Sequence, residues 1–395
     1  MKVLVLTTLY PNNISRNHGI FIKNRVASVS NQSACEIKVV APVPYFPPLK
    51  VFKKWYSYSQ VCWHERIDGI DVYHPRYLVT PKIGMSLYGF FMFLGVLKVV
   101  RKIHREFPFD VIDAHYIFPD AFASVLLAKV FKKPVVSSAR GSDINLYTKL
   151  PFVRQLLKFT LNHSTSVISV CCSIKEAIVK LGVDGEKVSV IPNGISKNNF
   201  YWIDKNQAKE KLSLPIDSKI LISVGSLRVL KGHHLLIDAI YLLKKRGQLD
   251  FKTYIIGEGY YEGVLRDKID EYGLMEWVHL KGHVENCELV YWYNAADLFF
   301  LGSSREGWPN VITESLGCGT PVVATNVNGV PEIINSIEYG ILVERNAEAF
   351  AQGIMEAIHK NWDYNKIYVY GQTRTWENVS HEVFGVLKKA IAGYC

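Results

Sequence analysis

The chain has 395 residues, 49% apolar, 12% aromatic and 21% charged, which excludes a disordered or fibrous protein. That length exceeds one ordinary core and predicts two domains of roughly 150 to 200 residues each. The net charge of +10 is uneven: residues 1–192 carry 25 Lys and Arg against 12 Asp and Glu, and the remainder carries 21 against 24. The first half is therefore expected to meet an anionic surface, lipid or nucleic acid.

The opening run MKVLVLTTLYP reads as a first strand, because Pro11, Asn12 and Asn13 follow too soon for a secretion signal. The turn Thr7-Thr8-Leu9-Tyr10-Pro11 lacks the glycines of a dinucleotide-binding oxidoreductase. Apolar β-rich runs at Val3–Leu6, Ile37–Ala41, Val111–Ala114, Val135–Ser138, Val167–Val170 and Val188–Ile191 alternate with amphipathic stretches. The same alternation restarts at Ile220–Val224, Phe251–Ile256, Val278–Lys281, Leu298–Leu301, Pro321–Ala324 and Gly340–Val343. Parallel βαβ units in two tandem doubly wound sheets are the expected α/β architecture, with an interdomain cleft. The first domain is expected over 1–192, ending in the Ile191-Pro192-Asn193-Gly194 turn, and the second over 193–372. A last helix is expected over 373–395, with one apolar face from Val379 to Ile391.

Seven cysteines without CxxC spacing signal neither a disulfide framework nor a zinc site, and fit a reducing cytoplasm. Two stretches of the first half suit a bilayer surface. Tyr45 to Tyr56 mixes aromatic residues with Lys50, Lys53 and Lys54, and single-stranded nucleic acid would use the same residue types. Membrane is the favoured partner, since no nucleic-acid motif accompanies the loop. The run from Gly84 to Leu97 is too short to span a bilayer, which needs about 20 residues. It reads either as a helix packed on its sheet or as an interfacial helix flanked by Lys98, Arg101, Lys102 and Arg105.

In the first half, Asn17-His18-Gly19 follows the first strand, and Gly19 would let the chain pass beneath a sugar or phosphate. His115 ends the strand of Asp113. Arg140-Gly141-Ser142-Asp143 closes another strand; Arg140 cannot act as a base near neutral pH but can bind phosphate. Asp113 and Asp143 are equally explained as turn or capping residues, so no second carboxylate stands out as a nucleophile.

In the second half, Arg228 and Lys231 follow the small-residue turn at Gly225 and are expected to open a helix, pointing the same way to clamp a pyrophosphate. Gly257 lies in a strand-end turn, and His283 and Val284 follow another strand. The block from Ser303 to Ala324 carries Glu306, Gly307, Trp308, Pro309, Asn310, Val311 and Glu314. Pro309 suits a first helical position, where free N–H groups and the macrodipole favour an anion such as a diphosphate. Glu306 would precede that helix and Glu314 lie about 7.5 Å inside it.

This block resembles the Glu-x7-Glu motif of glycosyltransferase family 4, retaining enzymes of GT-B fold, and Arg228-x-x-Lys231-Gly232 is similar to the family's second signature. The resemblance implies two facing Rossmann-like domains, the first for acceptor and the second for donor, with the last helix crossing back onto the first. It implies that Glu306 bonds the transferred sugar. Gly307, Trp308, Asn310 and Val311 would line the sugar and phosphates, and Glu314 would hold the ribose. Arg228 and Lys231 would stabilise the departing diphosphate without a metal. His115 would touch the donor sugar; His283 and Val284 would meet the base; and Gly19, Arg140, Asp143, Gly225 and Gly257 would line the substrate. His18 and Arg140 stand where the family commonly has a glycine and a histidine. A UDP- or GDP-sugar donor, a lipid-linked or glycan acceptor and an anionic membrane on the cytoplasmic side follow as expectations, with no nucleic acid and no cofactor. A sugar-nucleotide epimerase of the same architecture and a non-catalytic nucleic-acid binder are the alternative classes.

Overall fold

In the first strand, β1 (Lys2–Leu6), alternate side chains enter two different cores. Val3 and Val5 pack with Ile22 and Val26, whereas Leu4 and Leu6 pack with Met92 and Val96. A strand covered on both faces is the mark of a parallel α/β sheet. The computed structural model describes residues 1–32, 35–80 and 84–394; the side chains of Lys53 and Lys54 lie outside the described ones. The chain divides into two units: Met1–Asn193 with Trp376–Cys395, and Gly194–Thr375.

The first unit continues with β2 (Glu36–Val40), β3 (Val43–Tyr45), β4 (His64–Ile67), β5 (Ile70–Tyr73), β6 (Arg76–Leu78), β7 (Val111–His115), β8 (Val135–Ala139), β9 (Ser166–Ser169) and β10 (Val188–Val190). Eight of these strands form one sheet in the order β10-β9-β8-β7-β1-β2-β5-β4, parallel throughout except for β4 against β5. The chain leaves β1 first for β2 and later for β7, so the sheet reverses its winding between β1 and β7. The sequence pattern gave no strand at β4 and β5. Their hairpin turns on Asp68 and Gly69, both at positive φ (49° and 80°), as a tight primed turn requires. The helix Trp376–Ala392 lies in this unit, burying Trp376, Val379, Val383 and Leu387 beside the helix Ile20–Ser30. Ser28 Oγ donates to the Trp376 carbonyl at 2.8 Å.

The second unit comprises β11 (Lys219–Val224), β12 (Phe251–Ile256), β13 (Val278–Gly282), β14 (Leu298–Leu301), β15 (Val322–Thr325) and β16 (Gly340–Val343). All pair in parallel, in the order β13-β12-β11-β14-β15-β16, so its winding reverses between β11 and β14. Ligands in such open sheets bind beyond the carboxyl ends of the strands at that reversal. The two units are therefore doubly wound, Rossmann-like α/β domains.

Candidate functional site

In the second unit, the loops leaving β11 and β14 meet at the winding reversal. Gly232 takes φ +76, and a Cβ there would stand 2.0 Å from the Gly302 carbonyl oxygen. Only glycine lets the two loops close up, and Ser304 N donates to the Leu230 carbonyl at 2.8 Å. The outcome is a short ion pair: Lys231 Nζ lies 2.6 Å from Glu306 Oε1, with the side chains 22% and 12% exposed. Ser303 Oγ donates to the same oxygen at 2.6 Å, and the Glu306 N–H donates to Asn328 Oδ1 at 3.3 Å. Glu306 Oε2 has no partner among the described residues, which leaves one carboxylate oxygen to accept from a ligand hydroxyl. Ser303 and Asn328 were not singled out from the sequence; each acts through a contact that only the fold creates.

The expected helix opening at Arg228 is corrected. Val229–Lys231 is a single 3-10 turn, and the helix His233–Lys245 starts only after the left-handed Gly232. Lys231 therefore turns into the site while Arg228, with extended backbone, is exposed and makes no ion pair or side-chain hydrogen bond among the described residues. Pro309 is likewise one place earlier than expected: it caps the helix Asn310–Gly317, and Asn310 is its first residue.

Glu314 is the fifth residue of that helix. Burial pushes its carboxyl group up to about 7, although the Tyr293 hydroxyl, donating to Oε2 at 2.9 Å, works in the other direction. Trp308 and Val311 pack against the core of the unit, and the buried Trp308 indole N–H has no partner among the described residues. Gly307 lies between Glu306 and Trp308 on the same loop. Gly225 and Gly257 have a structural reason of their own: a Cβ on Gly257 would stand 2.0 Å from the Gly225 carbonyl oxygen. They let the turns after β11 and β12 stack backbone on backbone. His283 is exposed, 3.3 Å from Glu285, and Val284 packs on the core.

In the first unit, the charges at the winding reversal are sealed in. Arg25 NH2 lies 3.2 Å from both carboxylate oxygens of Asp113, and its NH1 donates to Ser138 Oγ at 2.8 Å. Burial alone would raise Asp113, but Arg25 and His115 outweigh it and hold the carboxyl group well below the usual range. Asp113 is thus an ion-pair centre inside β7 and not the turn or capping residue the sequence suggested. His115 is wholly buried, and burial takes it down to about 4, so the ring is neutral. Its Nδ1 accepts from Arg140 NH2 at 2.6 Å, which leaves the proton on Nε2, 3.3 Å from Asp113 Oδ2 but poorly angled for a hydrogen bond. In this geometry the ring holds Arg140.

Arg140 also donates to Asn193 Oδ1 at 3.0 Å and lies over the Phe21 ring, and burial followed by the charge of Arg25 lowers it to about 9. Asp143 is buried and accepts from the backbone N–H groups of Ile117, Arg140 and Gly141 at 2.8–3.2 Å, so it shapes the Arg140 loop from within. Asp120, unremarked in the sequence, accepts from the Thr8 N–H at 2.7 Å, and burial raises it to about 8. Gly19 passes beneath the protein's own backbone: a Cβ would stand 2.2 Å from the Leu9 carbonyl oxygen.

Two family models match consecutive stretches of the chain. The Glycosyltransferase Family 4 model matches residues 35–198, and the Glycosyl transferases group 1 model matches residues 204–374, the stretch that holds Lys231, Glu306 and Glu314. The chain is a glycosyltransferase of family 4. This family 4 chain is 28% identical over 369 residues to a Bacillus subtilis protein named as a teichuronic acid biosynthesis glycosyltransferase, covering 91% of this chain and 90% of that one. It is 27% identical to an uncharacterized glycosyltransferase of Methanocaldococcus jannaschii, over 83% of this chain and 87% of that one. Among solved structures, sucrose-phosphate synthase from Thermosynechococcus elongatus superposes with a TM-score of 0.80 at 16% identity, covering 99% of both chains. Anabaena HepE in complex with UDP superposes with a TM-score of 0.75 at 19% identity, covering 98% of this chain and 100% of that one. The fold of this family 4 enzyme is thus GT-B.

Proposed function

We propose that this glycosyltransferase moves a hexose from a UDP- or GDP-sugar, with retention, to a lipid-linked or polysaccharide acceptor at the cytoplasmic face of the membrane. The observation that carries the donor half of this reading is the Lys231–Glu306 pair at the β11/β14 reversal, 2.6 Å apart and partly open to solvent. Lys231 supplies the point charge that a departing diphosphate needs, and Glu306 keeps one oxygen for a sugar hydroxyl. Arg228, exposed and without a side-chain partner among the described residues, closes on the diphosphate once donor is bound. Gly307, Trp308, Asn310 and Val311 line the sugar and phosphates, and Glu314 accepts from the ribose hydroxyls. Gly225, Gly257, His283 and Val284 complete the second domain's lining. In the acceptor domain over 1–192, Gly19, Arg140 and Asp143 line the substrate, and His115, held by Arg140, orients the donor sugar. Structures similar in fold bind UDP and UDP-glucose, which favours a uridine donor. Proteins similar in sequence bear names from teichuronic and colanic acid biosynthesis, which favours a polysaccharide product.

Membrane contact rests on the helix Tyr88–Glu106. One face buries Met92, Val96, Val100 and Ile103, so the packed reading of the sequence holds for that face. The opposite side exposes Phe90 and Leu94, with Leu87 exposed just before the helix, followed by Lys98, Arg101, Lys102 and Arg105, as an interfacial helix would. No helix among the described residues is long and apolar enough to cross a membrane.

The donor reading is tested by thermal shift against a nucleotide panel, because a ligand at 100 times its dissociation constant adds about 2.7 kcal/mol to stability. UDP or GDP should stabilise the protein and nucleoside alone should do so far less; equal shifts from nucleosides and diphosphates would overturn it. Product analysis without acceptor separates the epimerase alternative, which would consume donor alone.

A further inference from the structure

The hairpin β4–β5 brings together three side chains that the transfer reading does not use. Cys62 stands two residues before β4, Glu65 lies within it, and His74 follows β5 directly. Their ligand atoms, a thiol sulfur, a carboxylate oxygen and an imidazole nitrogen, all lie within 4.8 Å of one another. The spacing Cys-x2-Glu-x8-His matches no familiar metal signature, so the sequence alone gave no sign of it.

The His74 ring is wholly buried, and its two nitrogens both face acceptors. Nδ1 lies 3.0 Å from the Ala41 carbonyl oxygen, which fixes the proton there, and Nε2 lies 2.7 Å from Glu65 Oε1. A metal ion taking the place of a proton on Nε2 would sit between the ring and the carboxylate, with the Nδ1–H still donating to the Ala41 carbonyl. A ring N–H anchored on a backbone carbonyl is also how metal-bound histidines are oriented. The surrounding backbone is already tied. Cys62 N donates to Asn13 Oδ1 at 3.0 Å and His74 N to the Trp63 carbonyl at 2.8 Å. Arg76 donates to the His74 and Val61 carbonyls, fixing the chain beside two of the three groups.

We propose that Cys62, Glu65 and His74 form a binding site for one divalent transition-metal ion of the zinc type. Sulfur with imidazole selects zinc over magnesium or calcium, and thiolate with carboxylate balances a dication. Bonds of about 2.0–2.3 Å in tetrahedral array would open the His74–Glu65 contact to roughly 3.3 Å, a small adjustment for a half-buried carboxylate. Water fills the fourth position. The ion cross-links the sheet-edge hairpin to the loop before it and, through Ala41, to the chain after β2. The role is structural, apart from the Lys231–Glu306 pair and independent of any transfer chemistry.

The test uses the full chain, freed of metal and titrated with Co²⁺ and then Zn²⁺. One equivalent of Co²⁺ should give a thiolate-to-cobalt charge-transfer band that Zn²⁺ removes. Cys62→Ser should lose the band, while Cys287→Ser, at an exposed cysteine, should keep it. Glu65→Gln should weaken zinc binding by more than the roughly 10–100-fold that loss of an outer-shell partner costs. Because replacing the buried His74 risks the fold, the half-buried Cys62 and Glu65 decide the matter. No band in the wild type, or a band that persists in Cys62→Ser, would overturn the site and leave a plain histidine–carboxylate pair.

Discussion

The two winding reversals of this molecule stand at the same place in the same topology and use their charges in opposite ways. At β11/β14, Lys231 and Glu306 form one short pair, partly exposed, with a carboxylate oxygen left over. At β1/β7, Arg25, Asp113 and His115 are buried and Arg140 partly so; Arg25 pairs with Asp113, and Arg140 donates to His115 and Asn193. The difference follows from what surrounds the strand ends. Gly232 lets the β11 and β14 loops approach each other, whereas Asp143 ties the loop of Arg140, whose guanidinium lies over the Phe21 ring. The Lys231–Glu306 pair is open to a ligand, whereas the Arg25–Asp113 pair ties the helix Ile20–Ser30 to β7 of the sheet.

That contrast is broken most forcefully at Arg25. Arg25→Met leaves Asp113 buried without its partner, and losing one member of a buried pair costs about 3–5 kcal/mol. Denaturant unfolding should show a loss of that size, and a loss below about 1 kcal/mol would mean the pair is not sealed. The sign of the pH dependence is also set: Asp113 is held below its usual range, so its contribution is present above the unfolded carboxyl value and fades as the pH falls toward that depressed folded value. Acid unfolding of the wild type should therefore be steeper than that of Asp113→Asn.

A smaller effect sharpens the second unit. Burial raises Glu314 to about 7, so the folded state takes up a proton that the unfolded chain releases near the ordinary carboxyl value. Stability should fall as the pH rises from about 5 to 7, and Glu314→Gln should flatten that slope. If the carboxylate accepts from ribose, nucleotide affinity should fall below pH 7 as it protonates, in the wild type but not in Glu314→Gln; identical pH profiles would remove the ribose role. The smallest effect concerns the surface. Lys98→Gln with Lys102→Gln should weaken sedimentation with anionic vesicles by about 1 kcal/mol for each charge, and unchanged binding would remove the membrane reading of that helix.

Much of this arrangement was legible before any coordinates. The β-branched runs at Val111–Ala114 and Phe251–Ile256 became β7 and β12 with at most one residue of difference, because a strand buried on both faces needs an unbroken apolar run. The hairpin β4–β5 was not, since His64, Glu65, Arg66 and Asp71 dilute its apolar alternation, although Asp68-Gly69 carried a usable turn signal. Arg228 was placed on a helix because nothing in spacing alone reveals that Gly232 adopts a left-handed conformation. The pairing of Arg25 with Asp113, 88 residues away, and of Lys231 with Glu306, 75 residues away, lies beyond any periodicity. For Glu306 a family resemblance supplied what the pattern could not; for Arg25 nothing did.

The measurement that tests the donor site most directly is calorimetric titration of nucleoside diphosphate and of the matching sugar nucleotide into wild type, Lys231→Ala and Glu306→Gln. Lys231→Ala should lose most of its affinity for the diphosphate. Glu306→Gln should keep the diphosphate but lose the extra affinity contributed by the sugar, and turnover in both should fall by about 10²–10³. Wild-type affinities and turnover in both variants would show that the pair at the β11/β14 reversal does not hold the donor.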